Sequence, residues 1–520
     1  MKRFISILIL LITTLSFAGC GKEEVVDNEP ITFDWYINYS WFVTGWGGNV
    51  VSDKITEETG VSVNFLTPVG NEAEKLNAMI ASDSLPDIIT LGWWEPQYTE
   101  IIEGDMVYAL NELADKYDPM FYEVANDDVI KWYTMEDGNI YCYPNSSYTR
   151  EDLETHDNIP SNQTFLVRKD IYEAIGSPDM TTPEGFHDAV VKASKMFPEI
   201  GGESLIPVGA HTFDDGGCVS FDQYLQNFLA VPFEQDGIFY DRNTDPEYLR
   251  WLKMFRLLQE EGYLNADIFV DTRTQMSEKI EKGRYFCMLY QRTDLADQEK
   301  LLYSRDPNKI YIAVDGPKNS NGDDPVLPST GITGWTVTMI SKNCKDPGRA
   351  IKFMDYLMSE HGQKLLYLGV EGVTYTEEDG KIEIVPEVKE LLNRDREEYD
   401  EKYAADDTYW MLQNNVMQLQ WKLEPEEPLK QLAEWTYPYT TYLGQYEFIM
   451  SQNTEAGVIS DKVDKLWGET IRDLLLASSD EEFDEIVEAY KKERNALGFN
   501  KVVAEKSRQI RENKKKLGME

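Results

Sequence analysis

The segment Ile31-Thr32-Phe33-Asp34-Trp35-Tyr36 alternates apolar and polar side chains and is rich in strand formers, which predicts a β-strand. A helix is expected from Asn49 to Thr59, stopped by Gly60. Val61 to Leu66 alternates again, Glu72 to Ser82 reads as a helix, and Asp87-Ile88-Ile89-Thr90-Leu91 reads as a short buried strand. Three strands separated by helices imply a parallel, right-handed βαβαβ sheet.

Three later helices open alike. Thr182-Pro183-Glu184, Asp245-Pro246-Glu247 and Asp346-Pro347-Gly348 each place a capping side chain before a proline. The cap accepts an orphan N–H, and proline at the first helical position wastes no hydrogen bond. Behind the second cap, Tyr248, Trp251, Leu252 and Phe255 form one helical face; behind the third, Ala350, Phe353, Met354, Leu357 and Met358 do the same. Two more stripes, Val463 to Leu475 and Phe483 to Tyr490, read as core rather than ligand contacts. Short strands are expected at Phe165 to Arg168, Leu205 to Ala210, Tyr285 to Tyr290, Ile310 to Val314 and Thr336 to Ile340. The fold class is therefore α/β to about residue 360, with a mostly helical stretch from Pro386 to Leu476.

Composition narrows the function. The chain has 520 residues and a formal net charge of −43, so it lacks the basic patch that nucleic acid or an anionic membrane surface requires. Lys2 and Arg3 precede an apolar run too short to span a bilayer, and Ser16-Phe17-Ala18-Gly19-Cys20 follows. This pattern resembles a bacterial lipobox, with residues 1–19 as signal peptide, Cys20 as the lipidated residue and 20–30 as a polar tether. Phe17 departs from the usual leucine. Cys142, Cys218, Cys287 and Cys344 show no CxxC spacing and read as buried free thiols. The tail 501–520, with Lys514-Lys515-Lys516, reads as a solvated helix end.

In an open parallel sheet, ligands bind beyond the carboxyl ends of the strands. After the first strand come Tyr39, Trp41 and Trp46; after the third, Trp93 and Trp94. Asp214 and Asp215 follow the strand ending at Ala210, Tyr290 and Arg292 stand at the end of another, and Trp335 opens a strand after Gly334. Aromatics gathered at one sheet edge suggest a stacking platform with polar groups around it. A pyranose suits such a platform, since its C–H face lies on an indole and its hydroxyls seek Asp, Asn, Gln or Arg. Trp410, Trp421, Trp435 and Tyr437 are read two ways, as an extension of this platform or as core. The sequence shows no phosphate-binding glycine loop, HExxH, GxSxG elbow or calcium loop of EF-hand spacing; Asn321-Gly322-Asp323-Asp324 reads as a turn. No cofactor and no metal are expected.

The residues also resemble a known family, the family 1 extracellular solute-binding proteins, lipid-anchored sugar receptors of ABC importers in Gram-positive bacteria. The lipobox at Cys20 carries part of the likeness. So do Phe165 to Tyr172 with Thr182-Pro183-Glu184-Gly185-Phe186, where Pro183-Glu184 stands in place of a frequent Trp-Asp. Thr244 to Leu264, Lys282-Gly283-Arg284-Tyr285 and Gly334-Trp335 through Asp346-Pro347 complete it, the last being the most specific. The resemblance implies a two-lobed periplasmic-binding-protein-like (type II) fold with a hinge and an extended helical C-terminal part. It places 31–142 and 314–360 in an N-terminal lobe and 143–313 and 361–500 in a C-terminal lobe, with crossovers near Tyr141 to Asn145, Val314 to Pro317 and Ser359 to Leu368. It further implies a monomer on the extracellular face, attached to the membrane through its lipid alone. Such a receptor would capture a carbohydrate, in the size class of an oligosaccharide, and deliver it to an ABC permease without making or breaking a bond. Two other readings stay open here: a surface lipoprotein presenting ligand to a sensor, and a secreted glycan-active enzyme.

Overall fold

A computed structural model describes residues 29–421, 423 and 427–519. The segment expected as signal peptide, Cys20 and most of the expected tether lie outside the described residues. In chain order, the strands that position the site are β1 (Ile31–Ile37), β2 (Val61–Leu66), β3 (Ile88–Gly92), β4 (Tyr143–Pro144), β5 (Gln163–Arg168), β6 (Ile206–Gly209), β7 (Tyr285–Gln291), β8 (Tyr311–Ala313), β9 (Leu327–Pro328), β10 (Thr336–Ile340) and β11 (Thr440–Thr441).

They build two main sheets. The first runs β2-β1-β3-β10-β4, with β1 parallel to β2 and β3, as the alternating pattern predicts, while β10 lies antiparallel to β3 and β4. The second runs β8-β5-β7-β6. Asn49 caps the helix Val50–Thr59 by accepting from the Ser52 N–H, and Gly60 ends it at φ 69°. The three Asp/Thr-Pro caps form as expected: Thr182, Asp245 and Asp346 accept backbone N–H groups of Gly185, Glu247 and Arg349 respectively. At the start of the described chain, Arg349 donates to the carbonyls of Glu29 (3.1 Å) and Thr59 (3.0 Å), which fixes the entry of the chain to the first lobe.

Each sheet carries its own core. Trp35, Ile89, Met339 and Phe353 belong to the first cluster, and Phe165, Phe186, Trp251 and Leu289 to the second. The four cysteines Cys142, Cys218, Cys287 and Cys344 are buried free thiols. Among the described residues, no helix is long and apolar enough to cross a membrane.

Lobe membership departs from the sequence reading in three places. Residues 143–144 are the edge strand β4 of the first sheet, not the start of the second lobe. The chain does not cross near Val314: Gly316 packs against the Phe165 ring, Trp251 donates to the Lys318 carbonyl, and Val326 donates to the Asn227 carbonyl, so it follows the second lobe to β9. Nor does it cross near Ser359 to Leu368. Leu365, Leu366, Val388, Leu391, Tyr399 and Trp410 all enter the first cluster, and Val51 N–H donates to the Tyr403 carbonyl. The third crossing therefore falls between Leu412 and the helix Leu429–Thr436, which packs on β8. Strands β9 and β11 pair in parallel beside these crossings.

The C-terminal tail is likewise not a solvated end. The helix Phe499–Lys516 buries Val502 and Ile510. Ser507 Oγ accepts from Phe239 N–H, Gln509 exchanges two hydrogen bonds with the Ile449 backbone, and Asn513 donates to the Glu447 carbonyl. Its last turn reaches the first lobe, where Lys516 Nζ donates to the Trp132 carbonyl at 3.1 Å. Polar residues at helical spacing disguised a face that docks by side-chain hydrogen bonds.

Candidate functional site

Parallel strands β1 and β3 deliver Asn38 to Trp41 and Trp93 to Glu95 to one edge of the first sheet. Antiparallel β10 begins where β3 ends, with Thr336 opposite Gly92, so Trp335 comes to the same edge. The result is a tray of rings. Trp41 and Trp335 lie 6.0 Å apart at 11°, Tyr39 and Trp335 5.5 Å apart at 27°, Trp41 and Trp410 5.6 Å apart at 29°, and Trp335 and Trp410 4.6 Å apart at 38°. These are offset-stacked and tilted arrangements that ring quadrupoles favour. Trp41 keeps 38% of its surface exposed, whereas Tyr39 and Trp410 are buried at its back.

The rings are held from below by Asn145, which is fully buried. Its carbonyl accepts from Trp335 N–H (3.1 Å), its Oδ1 accepts from Thr336 N–H (2.7 Å), and its Nδ2 donates to the Trp410 carbonyl (3.0 Å). Gly334 sits at φ 69°, and a Cβ there would meet the Asn145 carbonyl at 2.1 Å. Trp93 Nε1 donates to the Gly334 carbonyl at 3.1 Å and Tyr133 Oη donates to the Thr333 carbonyl at 2.7 Å. Glu447 closes the support by accepting from Thr333 N–H at 3.2 Å; burial pushes its carboxyl up to about 8. The same carboxyl leaves no room for a side chain at Gly331.

Charged groups surround the tray. Glu95 accepts from Gly92 N–H at 2.8 Å, from Asn38 Nδ2 and, at 3.4 Å, from Tyr39 Oη. Burial raises its carboxyl to about 7 against the pull of these donors. Glu72 accepts from Ser40 N–H at 2.7 Å. The facing wall belongs to the second lobe. Tyr290 is buried and stacks on His211 at 4.2 Å and 18°, and Tyr224 meets His211 edge-on. Burial, with Arg273 adding to it, drives the His211 imidazole down to about 3, so it is neutral.

One side chain spans the gap. Arg273 begins the helix Arg273–Glu281 of the second lobe, and its guanidinium lies 5.6 Å from the Trp41 ring of the first. Asp294, raised by burial, stands 3.3 Å from the same guanidinium. Among the described residues, Trp410 Nε1 and His211 Nε2 are buried and have no hydrogen-bond partner.

The structure thus brings together Tyr39, Trp41 and Trp335, and sets Trp93 as their brace. Trp94 meets Trp93 edge-on at 5.9 Å and is half exposed at the rim. Four of the residues picked out in the sequence stand elsewhere. Trp46 donates to Thr56 Oγ1 and packs its ring against Phe65, Phe353 and Tyr409, because the Gly47-Gly48 turn folds it back onto the first core. Asp214 caps its own turn, accepting from Gly216 and Gly217 N–H, and the Asp215 carbonyl packs against Gly468 of the helix Glu455–Leu476. Arg292 is turned to the crossing and donates to the Ser161 carbonyl at 2.8 Å. Of the two-way aromatics, Trp410 joins the tray, Trp435 stacks on Phe228 in the second lobe and Trp421 packs with Leu368 and Tyr375. Arg273, Asp294 and Asn145 carried no motif; Glu95 had one usable signal, its place directly after the Trp pair.

A cavity of about 220 Å³ lies behind the 410–414 segment, lined by Tyr143, Ser147, Asp152, Leu412, Gln413 and Met417 among others, and by none of the tray rings. Its polar groups are committed: Asp152 and Thr149 cap each other, Ser147 donates to the Ile332 carbonyl and Gln413 donates to Asp407. Among the described residues, no group of three His, Cys, Asp or Glu side chains is placed to hold a metal ion.

Comparison with known proteins agrees with this architecture. A family model described as bacterial extracellular solute-binding protein matches residues 49–364. The polygalacturonan/rhamnogalacturonan-binding protein YtcQ of Bacillus subtilis is 21% identical over 397 residues, 72% of this chain and 74% of that protein. Among solved structures, the alginate-binding protein AlgQ2 without calcium ion superposes with a TM-score of 0.68 at 18% identity, covering 93% of this chain and 99% of the other. The S. pneumoniae ABC-transporter substrate-binding protein FusA in complex with kestose does so at 0.67 and 16%, covering 93% and 100%. At such identities the superpositions show a shared fold.

Proposed function

The chain belongs to the bacterial extracellular solute-binding protein family, and from that premise we propose that it captures a carbohydrate of oligosaccharide size between its two lobes and delivers it to the permease of an ABC importer. The observation that carries this reading is the tray of Tyr39, Trp41, Trp335 and Trp410 on one lobe faced by Arg273 of the other. A sugar ring lays its C–H face on Trp41, and its hydroxyls donate to Asp294 and accept from Arg273. In this reading Trp93 braces the tray, Trp94 stands at its rim, Tyr290 backs His211 on the second lobe, and Trp46, Asp214, Asp215 and Arg292 take no part.

The mechanism is a population shift. A ligand that touches both lobes has more contacts in the closed form, so it binds that form more tightly and moves the equilibrium toward it. A shift from mostly open to mostly closed requires differential affinity of about 10⁴. The permease then reads the closed shape, and the energy for transport comes from the importer's ATPase. The protein itself makes and breaks no bond. Cleavage before Cys20 and its lipidation would hold the receptor on the extracellular face of the membrane.

Titration calorimetry with a glycan panel, paired with solution scattering, tests the reading. A micromolar or tighter ligand should appear and should reduce the radius of gyration. Failure of every glycan to bind, or binding with an unchanged particle, refutes it.

A further inference from the structure

The tray's charged neighbours differ in sign and in freedom. Arg273 is the guanidinium over Trp41, with 53% of its side chain exposed, and Asp294 already holds it at 3.3 Å. Around the same rings stand Glu95, at the Tyr39 hydroxyl, and Glu72, at the Ser40 backbone next to Trp41. Other guanidiniums of the interlobe region are bound: Arg292 to the Ser161 carbonyl, and Arg396 to Asp400 at 2.8 Å and Asp406 at 2.9 Å. Lys75 stands on the same side, its Nζ 5.5 Å from the Tyr36 ring and donating to the Thr67 carbonyl at 2.6 Å, and beyond about 8 Å salt screens the rest of the surface.

Two ligand chemistries answer differently to this set. A uronate carboxylate must shed its water and needs a cation free to pair with it, and Arg273 is shared with Asp294. The approach also brings it toward Asp294 and Glu72, and toward Glu95, which adds its full charge only above about pH 7. An uncharged sugar meets no such cost. Ionised carboxylates are acceptors only and seek donors, and hydroxyls supply them while accepting from the guanidinium. The fold itself is neutral on this point, since ligand choice lives in the site.

We infer that the cargo is an uncharged oligosaccharide, and that Asp294, with Glu95 and Glu72, excludes uronate-bearing chains from the tray. The inference rests on the carbohydrate-receptor reading above and adds the charge class of its ligand. In this site Asp294 is the specificity residue: it neutralises the cation that a uronate would otherwise claim.

The test is calorimetric titration of the full chain at about 0.15 M salt with two sets of probes. The uncharged set comprises malto-, cello-, xylo-, manno-, galacto- and fructo-oligosaccharides; the charged set comprises oligogalacturonates and alginate oligomers. The best uncharged ligand should bind at least about tenfold tighter than any uronate. Asp294→Asn should narrow that ratio at least about threefold by improving uronate binding. A uronate within tenfold of the best uncharged ligand, or tighter, overturns the inference and leaves the carbohydrate reading standing. A ratio untouched by Asp294→Asn removes the role given to Asp294, and no binding by either set overturns both claims.

Discussion

Asn145 sets two indoles at once, a task that ring packing alone cannot do. Its amide joins the backbones of Thr336 and Trp410, which are far apart in sequence, and its own carbonyl takes the Trp335 N–H. Asn145→Ala leaves the buried Thr336 N–H unpaired, at about 1–3 kcal/mol, and takes from the Trp410 carbonyl one of its two donors, the other being the Gln413 N–H. Thermal unfolding should show the loss, and glycan affinity should fall at least about tenfold as the rings lose register. Asn145→Asp is the sharper probe: it keeps the acceptor for Thr336 but sets a carboxylate oxygen against the Trp410 carbonyl. It should weaken binding too, and wild-type affinity in both variants would remove the positioning role. At this scale the sequence was half legible. Tyr39, Trp41 and Trp335 are visible because they are large rings placed directly at predicted strand ends, the edge of the sheet where a ligand would bind. Asn145 and Arg273 are not, since one side chain among many Asn and Arg acquires its role only from partners brought near by folding.

Elements were easier to read than their ownership. Strands β1, β2, β3 and β10 and the three proline-capped helices follow from alternation and caps, because those signals are local. Which lobe a helix joins depends on which apolar face it meets, and nothing local in the 361–412 segment specifies that face. The C-terminal helix shows the same limit, as its face is mostly polar and docks through Ser507, Gln509 and Asn513. Ile510 on that face is fully buried. Ile510→Ala should cost about 2–5 kcal/mol in denaturant unfolding, whereas a solvated tail would lose less than about 0.5 kcal/mol.

For the molecule as a whole, acidity and burial act together. Glu447 and Asp355 are each pushed up to about 8 by burial. Their unfolded counterparts titrate near about 4. Between those values the folded state holds protons that the unfolded state has lost, so stability falls as pH rises through this window. His211, held near 3, works the other way, costing stability as pH drops below about 6.5. The unfolding midpoint should therefore decline from about pH 6.5 to about pH 8. Glu447→Gln, neutral at every pH, should make that decline shallower; an unchanged slope would mean Glu447 is ionised in the fold.

The clamp of Arg349 on the Glu29 carbonyl has a mechanical corollary. Whatever grips the chain ahead of Glu29 pulls on the half that carries the indoles. With a lipid anchor at Cys20, that half would be the leashed one, and its partner, bearing Arg273, the jaw left to swing.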